Sequence, residues 1–180
     1  MIGRKDSLSK LRQGALIHFG GALSPFNAWL IRRGLHTLEL RMKAHEENAR
    51  RVAAYLESHA AIKRVIYPGL PSHPQYGLAQ RQMSNTSGML TFQTKENRAE
   101  VARRLYRKLQ VFTCAVSLGK QRSLLFYIPT NDILESSFSL QGAALKSYKD
   151  FAGDGIFRVS IGLEDAGDLC ADLDQALSGE

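Results

Sequence analysis

The sequence lacks the features that mark secreted, membrane-spanning or zinc-binding proteins. Its 180 residues include two cysteines, Cys114 and Cys170, and neither lies in a CxxC or Cys/His spacing, so we expect no disulfide framework or zinc site. No run of about 18 apolar residues occurs, and the stretch after Met1 lacks the apolar segment of a secretory signal. We therefore predict a cytoplasmic protein that does not bind a membrane, with both thiols reduced and buried.

Acidic residues are scarce in the first third of the chain. The net charge is +7, and residues 1–64 carry 12 Lys and Arg against 5 Asp and Glu, whereas residues 65–180 carry 12 against 12. A basic surface can bind nucleic acid through the release of counterions. Here acids are interspersed among the basic residues, and no RNA-binding aromatic motif or zinc-finger spacing accompanies them, so we predict no nucleic-acid binding.

Motifs of catalysis are absent as well. No Ser/His/Asp order, paired-carboxylate motif, Walker loop or GxGxxG occurs, and the histidines show no ligand-like clustering, so we predict no metal site. We interpret each histidine as a surface residue or a hydrogen-bonded core residue. The histidines are His18, His36, His45, His59 and His73.

The hydrophobic pattern predicts helices first and a sheet later. Apolar residues three or four apart predict helices over residues 6–19, from Ser24 onward and over residues 38–59. Beyond residue 61 strand-like and helical stretches alternate, which predicts an α/β class domain of α+β type: an antiparallel or mixed sheet with helices on one face, preceded by long N-terminal helices. Residues 129–155, rich in Ser, Asn, Asp and Gly, are predicted to be mostly loop. The predicted strands are 62–67, 88–93, 112–116, 123–128 and 157–162, and the later predicted helices are 73–83, 96–109 and 166–177.

Two strand-associated segments are candidates for a binding site. The segment AVSLG at residues 115–119 ends an apolar strand in Ser117 and a glycine, where the backbone can approach a ligand closely. Arg158 lies between apolar residues on a strand predicted to be buried, so its guanidinium needs an anionic partner. A small carboxylate ligand would match its planar fork. The alternative is an internal salt bridge to Asp154, Glu164 or Asp165, which spacing alone favours.

Six segments carry a resemblance to a known enzyme family. They are LSPFNAWLIRRGLHTLELRM, HEENARRVAAYLESH, VIYPGLPSHPQYGLAQRQMS, SGMLTF, AVSLG and FRVSIGLEDAGDLCADLDQAL. In order and spacing, over about residues 5–177, they closely resemble the Cys/Met-metabolism family of pyridoxal-phosphate enzymes. This family contains cystathionine γ-synthases, cystathionine β- and γ-lyases, methionine γ-lyases and O-acylhomoserine sulfhydrylases.

The resemblance implies the C-terminal portion of a fold-type I pyridoxal-phosphate transferase. Residues 1–40 would be the helical tail of the large cofactor-binding domain, and residues 41–180 would be the small C-terminal domain. In such enzymes the Ser of the SLG segment and the Arg of the RxSxGxE segment hold the α-carboxylate of the amino-acid substrate. The resemblance therefore implies substrate-binding roles for Ser117 and Arg158, and self-association of the kind that makes the family homotetrameric.

The resemblance also implies that the covalent cofactor bond lies outside this sequence. Family members attach pyridoxal phosphate to a lysine in a Ser-x-Thr-Lys segment shortly before the matching stretch, and no lysine here has that context. We therefore expect no catalytic residue, no cofactor-binding residue and no covalently bound cofactor in this chain, which alone would be inactive. The lysines are Lys5, Lys10, Lys43, Lys63, Lys95, Lys108, Lys120, Lys146 and Lys149.

The favoured interpretation is the C-terminal part of an enzyme of trans-sulfuration. The intact family member would use pyridoxal phosphate to act as a carbon–sulfur lyase, or to catalyse γ-replacement, on a cystathionine, methionine or O-acylhomoserine type substrate. This part would bind the substrate carboxylate and make subunit contacts. The alternative is a non-catalytic truncated relative that serves as an oligomerisation or assembly module.

Overall fold

The computed structural model of the protein describes residues 3–136 and 140–178. The chain forms two compact units, Met1–Glu39 and Leu40–Glu180. This division falls beside the boundary expected after residue 40. The assignment of the first unit to the tail of a larger cofactor-binding domain stays a prediction.

The first unit is helical, as the apolar spacing predicts. Helix α1 (Lys5–Leu11) continues into wider π-helical turns over Arg12–His18, and α2 covers Pro25–Leu35. The Ser24 hydroxyl accepts a hydrogen bond from the backbone N–H of Asn27 at 3.2 Å and so caps α2, the helix predicted from Ser24 onward. None of the described residues of this unit is buried, so these helices do not enclose a core of their own.

The second unit combines a mixed sheet with further helices. Its strands are β1 (Ile62–Ile66), β2 (Met89–Thr94), β3 (Thr113–Cys114), β4 (Leu124–Pro129) and β5 (Gly155–Ser160). Its helices are α3 (Leu38–Ser58), α4 (Tyr76–Gln82), α5 (Arg98–Lys108), α6 (Thr130–Leu134), α7 (Gly142–Ala152) and α8 (Ala166–Leu177). Among the described residues the strand order is β1-β2-β5-β4-β3, with β3 parallel to β4 and the other neighbours antiparallel. The predicted α/β class with a mixed sheet is confirmed.

The core lies between one face of the sheet and helices α3, α5 and α8. Leu56, Leu105 and Leu173 of these helices are fully buried against it. The rings of Phe92 and Phe157, on neighbouring strands, stack with their centroids 4.7 Å apart. Because successive side chains of a strand point to opposite faces, the burial of Phe157 and its second neighbour Val159 places Arg158 on the other face.

The prediction of a loop over residues 129–155 was wrong, because α6 and α7 occupy most of it. In α7, Leu145, Tyr148 and Ala152 are the least exposed residues, and their spacing of three and four is helical. The end of the helix is held by a contact distant in sequence, since the Gln93 side-chain amide donates to the Phe151 carbonyl at 2.7 Å. Residues 137–139, within the predicted loop, lie outside the described residues.

Strand β3 is shorter than the predicted 112–116. The carboxylate of Asp172 accepts hydrogen bonds from the backbone N–H groups of Gln110, Val111 and Phe112, so these groups do not pair within the sheet. Cys114 lies exposed on this strand, so its predicted burial was also wrong. Within the described part of the chain, no helix combines the length and apolar character needed to cross a membrane.

Candidate functional site

Arg158 lies in the middle of the sheet, on the face away from the main core. Its neighbours in register are Thr91 on β2 and Phe126 on β4, and all three side chains are half-buried. The guanidinium donates a hydrogen bond through Nη2 to the backbone carbonyl of Ser117 at 3.3 Å. The fold therefore brings together the two residues that were predicted as a site from separate segments.

The three carboxylates considered as internal partners for Arg158 are engaged elsewhere. Asp154 pairs with Arg98, which is almost fully buried. Glu164 accepts hydrogen bonds from the backbone and the hydroxyl of Ser123. None of the ion pairs among the described residues involves Arg158.

Asp165, the third of these carboxylates, caps helix α8. Its Oδ1 accepts hydrogen bonds from the backbone N–H of Gly167 at 2.7 Å and of Asp168 at 3.3 Å. An N-cap carboxylate satisfies donors that the first turn of a helix leaves unpaired. The internal salt bridge that spacing favoured is therefore not present among the described residues.

Ser117 lies in an irregular segment, residues 115–122, between β3 and β4. Val116 is 67% exposed and Leu118 is 60% exposed, so the segment is not held by apolar packing. Gly119 adopts φ +69°, in the left-handed region that glycine enters without steric cost. This backbone turns the segment back toward β5.

Three residues that were not predicted as site residues hold this segment in place. The Ser160 hydroxyl accepts a hydrogen bond from the Gly119 N–H at 3.0 Å, and Ser123 is held by Glu164. The available signal was the spacing RxSxGxE, since Ser160 follows Arg158 by two residues on one strand and shares its face. Which groups these side chains contact could not be read from that spacing.

Asp172 fixes the approach to β3, the strand that leads into this segment. Burial by itself would raise the pKa of Asp172. The hydrogen bonds from the backbone N–H groups of Phe112, Gln110 and Val111 outweigh that effect and hold the pKa of Asp172 below its usual value. A buried carboxylate is thus kept ionised where the backbone enters the edge strand β3.

His45 behaves as a hydrogen-bonded core histidine. It is buried in α3, and its Nδ1 lies 2.7 Å from the carbonyl oxygen of Ile161. Because a carbonyl can only accept, Nδ1 donates this hydrogen bond. No group of three or more metal-binding side chains occurs in the part of the chain that the structure describes.

The lysines do not fit a covalent bond to pyridoxal phosphate. Such a bond uses a lysine whose amine is desolvated or placed next to another cation, which makes it nucleophilic. Lys108 is half-buried and every other lysine is exposed. That the covalent site lies outside this chain stays a prediction.

The chain matches proteins of known class over almost its whole length. It is 40% identical over 178 residues to the L-methionine gamma-lyase of Pseudomonas deceptionensis, covering 98% of this chain and 43% of that protein. It is 42% identical over 160 residues to the cystathionine gamma-lyase of Sus scrofa, covering 88% of this chain and 37% of that protein. The chain thus spans about two fifths of the length of the curated relatives it matches.

A solved structure shares this fold. The crystal structure of a putative O-acetylhomoserine (thiol)-lyase from Campylobacter jejuni, which contains N'-pyridoxyl-lysine-5'-monophosphate, superposes with a TM-score of 0.80 at 35% identity. The match covers 99% of this chain and 41% of that chain. The fold is therefore that of part of a pyridoxal-phosphate-dependent enzyme.

The family model described as Cys/Met metabolism PLP-dependent enzyme matches residues 3–178. The chain belongs to this family, as the resemblance of its segments predicted. The dependence on pyridoxal phosphate and the link to sulfur amino-acid metabolism are properties of the family and its named members.

Proposed function

We propose that this chain is the part of a sulfur amino-acid enzyme that binds the α-carboxylate of the substrate through Arg158 and Ser117. The intact enzyme would catalyse carbon–sulfur bond cleavage or γ-replacement on a cystathionine, methionine or O-acylhomoserine type substrate. Pyridoxal phosphate carries the bond-breaking chemistry in enzymes of this kind. None of that chemistry is assigned to residues of this chain, whose contribution is to bind and orient the amino acid.

The observation that carries the proposal is the state of Arg158. It is half-buried, it has no carboxylate partner among the described residues, and its one hydrogen bond there uses Nη2. Nη1 and the Ser117 hydroxyl make no hydrogen bond with the described residues. Such a guanidinium, beside a hydroxyl that has no partner among the described residues, can bind a carboxylate. The carboxylate would accept two parallel hydrogen bonds from the planar fork.

The Ser117 hydroxyl should contribute a modest share of substrate affinity. In the complete enzyme that contains this chain, Ser117→Ala should raise the KM of the amino-acid substrate about fivefold, equivalent to about 1 kcal/mol, because one neutral donor is lost. Steady-state kinetics measures this change, and kcat should stay nearly constant. The control is Ser58→Ala, because the Ser58 hydroxyl is exposed at the end of α3 and donates only to the Tyr55 carbonyl. Equal KM values for the Ser117 variant and the wild type would contradict the role of Ser117.

We also propose that the first unit makes contacts between subunits. Phe19 is 86% exposed, Phe26 is 66% exposed and Trp29 is 54% exposed, and the rings of the last two lie 6.0 Å apart. Exposed aromatic surface of this kind is typical of interaction sites. The proposed occupant is a second copy of the chain. In an intact family member residues 1–40 would pack on the large cofactor-binding domain, so in this chain by itself we expect the exposed rings to drive self-association.

The double substitution Phe26→Ser and Trp29→Ser should therefore shift the protein toward the monomer. The physical reason is the loss of apolar area that association would remove from water. Sedimentation velocity over a range of concentrations measures the shift. A matched control replaces polar residues on the same helix, Asn27→Ser and Arg32→Ser, and should leave the association unchanged. Unmodified protein that sediments as a monomer would contradict the proposal.

A further inference from the structure

The segment that carries Ser117 has little to hold it from within. Residues 115–122 form no helix or strand beyond the end of β3, and the side chains of Val116 and Leu118 are exposed. Ordering each residue of such a segment costs about 1–2 kcal/mol of backbone entropy. Contacts from other parts of the chain must offset this cost if Ser117 is to stay beside Arg158.

Those contacts come from the end of β5 and the residues that follow it. The nearly inaccessible Ser160 hydroxyl accepts from the Gly119 N–H at 3.0 Å. The Leu163 N–H donates to the Gln121 carbonyl at 2.7 Å. Arg158 on β5 thus holds Ser117, whereas Ser160 and Leu163 hold the rest of the segment.

Glu164 contributes two further contacts through its carboxylate. Its Oε1 accepts from the Ser123 N–H at 2.7 Å and its Oε2 accepts from the Ser123 hydroxyl at 2.9 Å. The same hydroxyl accepts from the Gly162 N–H at 2.8 Å. A Cβ atom on residue 162 would overlap the Gln121 carbonyl and the Glu164 carboxylate, so only glycine fits between them.

Asn48 connects this arrangement to helix α3. Its side-chain amide donates to the carbonyl of Gly162 at 3.2 Å and to the carbonyl of Glu164 at 2.8 Å. Residues 162–164 are therefore held on both sides, by a helix of the core and by the segment they contact. A carboxylate supported in this way can fix Ser123 with little freedom of its own.

We propose that Ser160 and Glu164 are positioning residues for carboxylate binding. Ser160 fixes Gly119 and Glu164 fixes Ser123, so that Ser117 is ordered beside Arg158 before the substrate arrives. This inference rests on the proposed function of Ser117 and Arg158. The residues of RxSxGxE then have separate roles, since Arg158 binds the carboxylate, Ser160 and Glu164 position the segment, and Gly162 permits the close approach.

The test uses the complete enzyme that contains this chain. Glu164→Ala and Ser160→Ala should each raise the KM of the amino-acid substrate about fivefold to tenfold, with kcat changed by less than about twofold. Substrate affinity should fall because Ser117 would no longer be held in position to bind the carboxylate. Glu164→Gln keeps an acceptor for the Ser123 N–H and should restore most of the affinity. The control is Asp165→Ala, which removes the cap of α8 and should lower the melting temperature without changing KM.

A double variant separates positioning from general destabilisation. If Glu164 acts by ordering Ser117, the variant carrying Ser117→Ala and Glu164→Ala should have a KM within about twofold of that of Glu164→Ala alone, because the two changes remove the same interaction. Additive increases in KM would overturn the positioning role. If Asp165→Ala raised KM by the same factor as Glu164→Ala, the positioning role would also be overturned, because the increase in KM would then result from the loss of stability.

Hydrogen exchange distinguishes a failure of this inference from a failure of the proposed function. In Glu164→Ala the backbone amides of residues 119–123 should exchange at least about tenfold faster than in the wild type, while those of β2 keep their rates. If Glu164→Ala speeds this exchange but leaves KM unchanged, while Arg158→Lys does raise KM, the positioning role alone is overturned. If Arg158→Lys and Ser117→Ala also leave KM unchanged, the proposed function fails and the positioning role fails with it.

Discussion

In the complete enzyme, Arg158→Lys is expected to raise the KM of the amino-acid substrate about 30-fold to 1,000-fold, which corresponds to about 2–4 kcal/mol. Lysine keeps the positive charge but loses the planar fork that pairs with both oxygens of a carboxylate. It also loses the geometry in which Nη2 donates to the Ser117 carbonyl, at 3.3 Å in the wild type. Steady-state kinetics on the substrate and on its α-carboxamide analogue measures the effect.

The carboxamide comparison isolates the carboxylate. The analogue offers the fork only one acceptor oxygen and no charge, so Arg158→Lys should change its KM much less than that of the natural substrate. Arg103→Lys is the matched control, because Arg103 is exposed on α5 and the same chemical change there should alter neither KM. A lowered melting temperature in Arg158→Lys, with the KM of both compounds unchanged, would show that Arg158 has only a structural role.

Asp172→Asn should lower the free energy of unfolding by about 2–4 kcal/mol, the largest stability effect we expect from one substitution. The Asp172 carboxylate is buried and accepts from the N–H groups of Gln110 at 2.9 Å, Val111 at 2.8 Å and Phe112 at 3.0 Å. An amide presents one oxygen instead of two, so at least one of these N–H groups would face an NH2 group. Urea unfolding measures the loss.

The control for Asp172→Asn is Asp168→Asn on the same helix. Asp168 is exposed in the first turn of α8, where a carboxylate favours the helix dipole by about 0.3–1 kcal/mol. Its replacement should therefore cost less than about 1 kcal/mol. Equal losses in the two variants would contradict the assigned role of Asp172.

The effect of Asp172 should also depend on pH in a defined direction. Because its pKa is lower in the folded chain than the usual value of about 3.9, the folded state binds this proton less readily than the unfolded state. The stabilisation is therefore complete above about pH 4 and is lost as the pH falls through the folded pKa. The difference in unfolding free energy between wild type and Asp172→Asn should shrink over that acidic range. A difference that stays constant down to the lowest pH at which the protein folds would contradict this assignment.

Local patterns predicted much of the fold. The spacing of apolar residues predicted α3, α5 and α8. The pattern failed over α7, whose short apolar stripe is secured by the contact of Gln93 with the Phe151 carbonyl. A helix stabilised by a partner some 58 residues away leaves little trace in its own composition.

The candidate site, like the fold, was predicted only in part from local sequence. An arginine among apolar residues on a strand, and a serine before a glycine at the end of another, were visible as unusual local choices. Ser160, Ser123 and Glu164 were not, because serine and glutamate are ordinary residues in loops and at strand ends. Their roles depend on hydrogen bonds across some 41 residues of sequence.

The sequence by itself indicated that Arg158 needs an anionic partner, because it lies between the apolar residues Phe157 and Val159 on a predicted strand. It also determined the family, since six segments keep a specific order and spacing. Only the tertiary structure decided that Asp154, Glu164 and Asp165 are engaged with other groups, leaving Arg158 beside Ser117. The physical reason is that a carboxylate within a few residues of an arginine can rotate toward any donor the fold brings near. The packing of distant segments determines which donor that is.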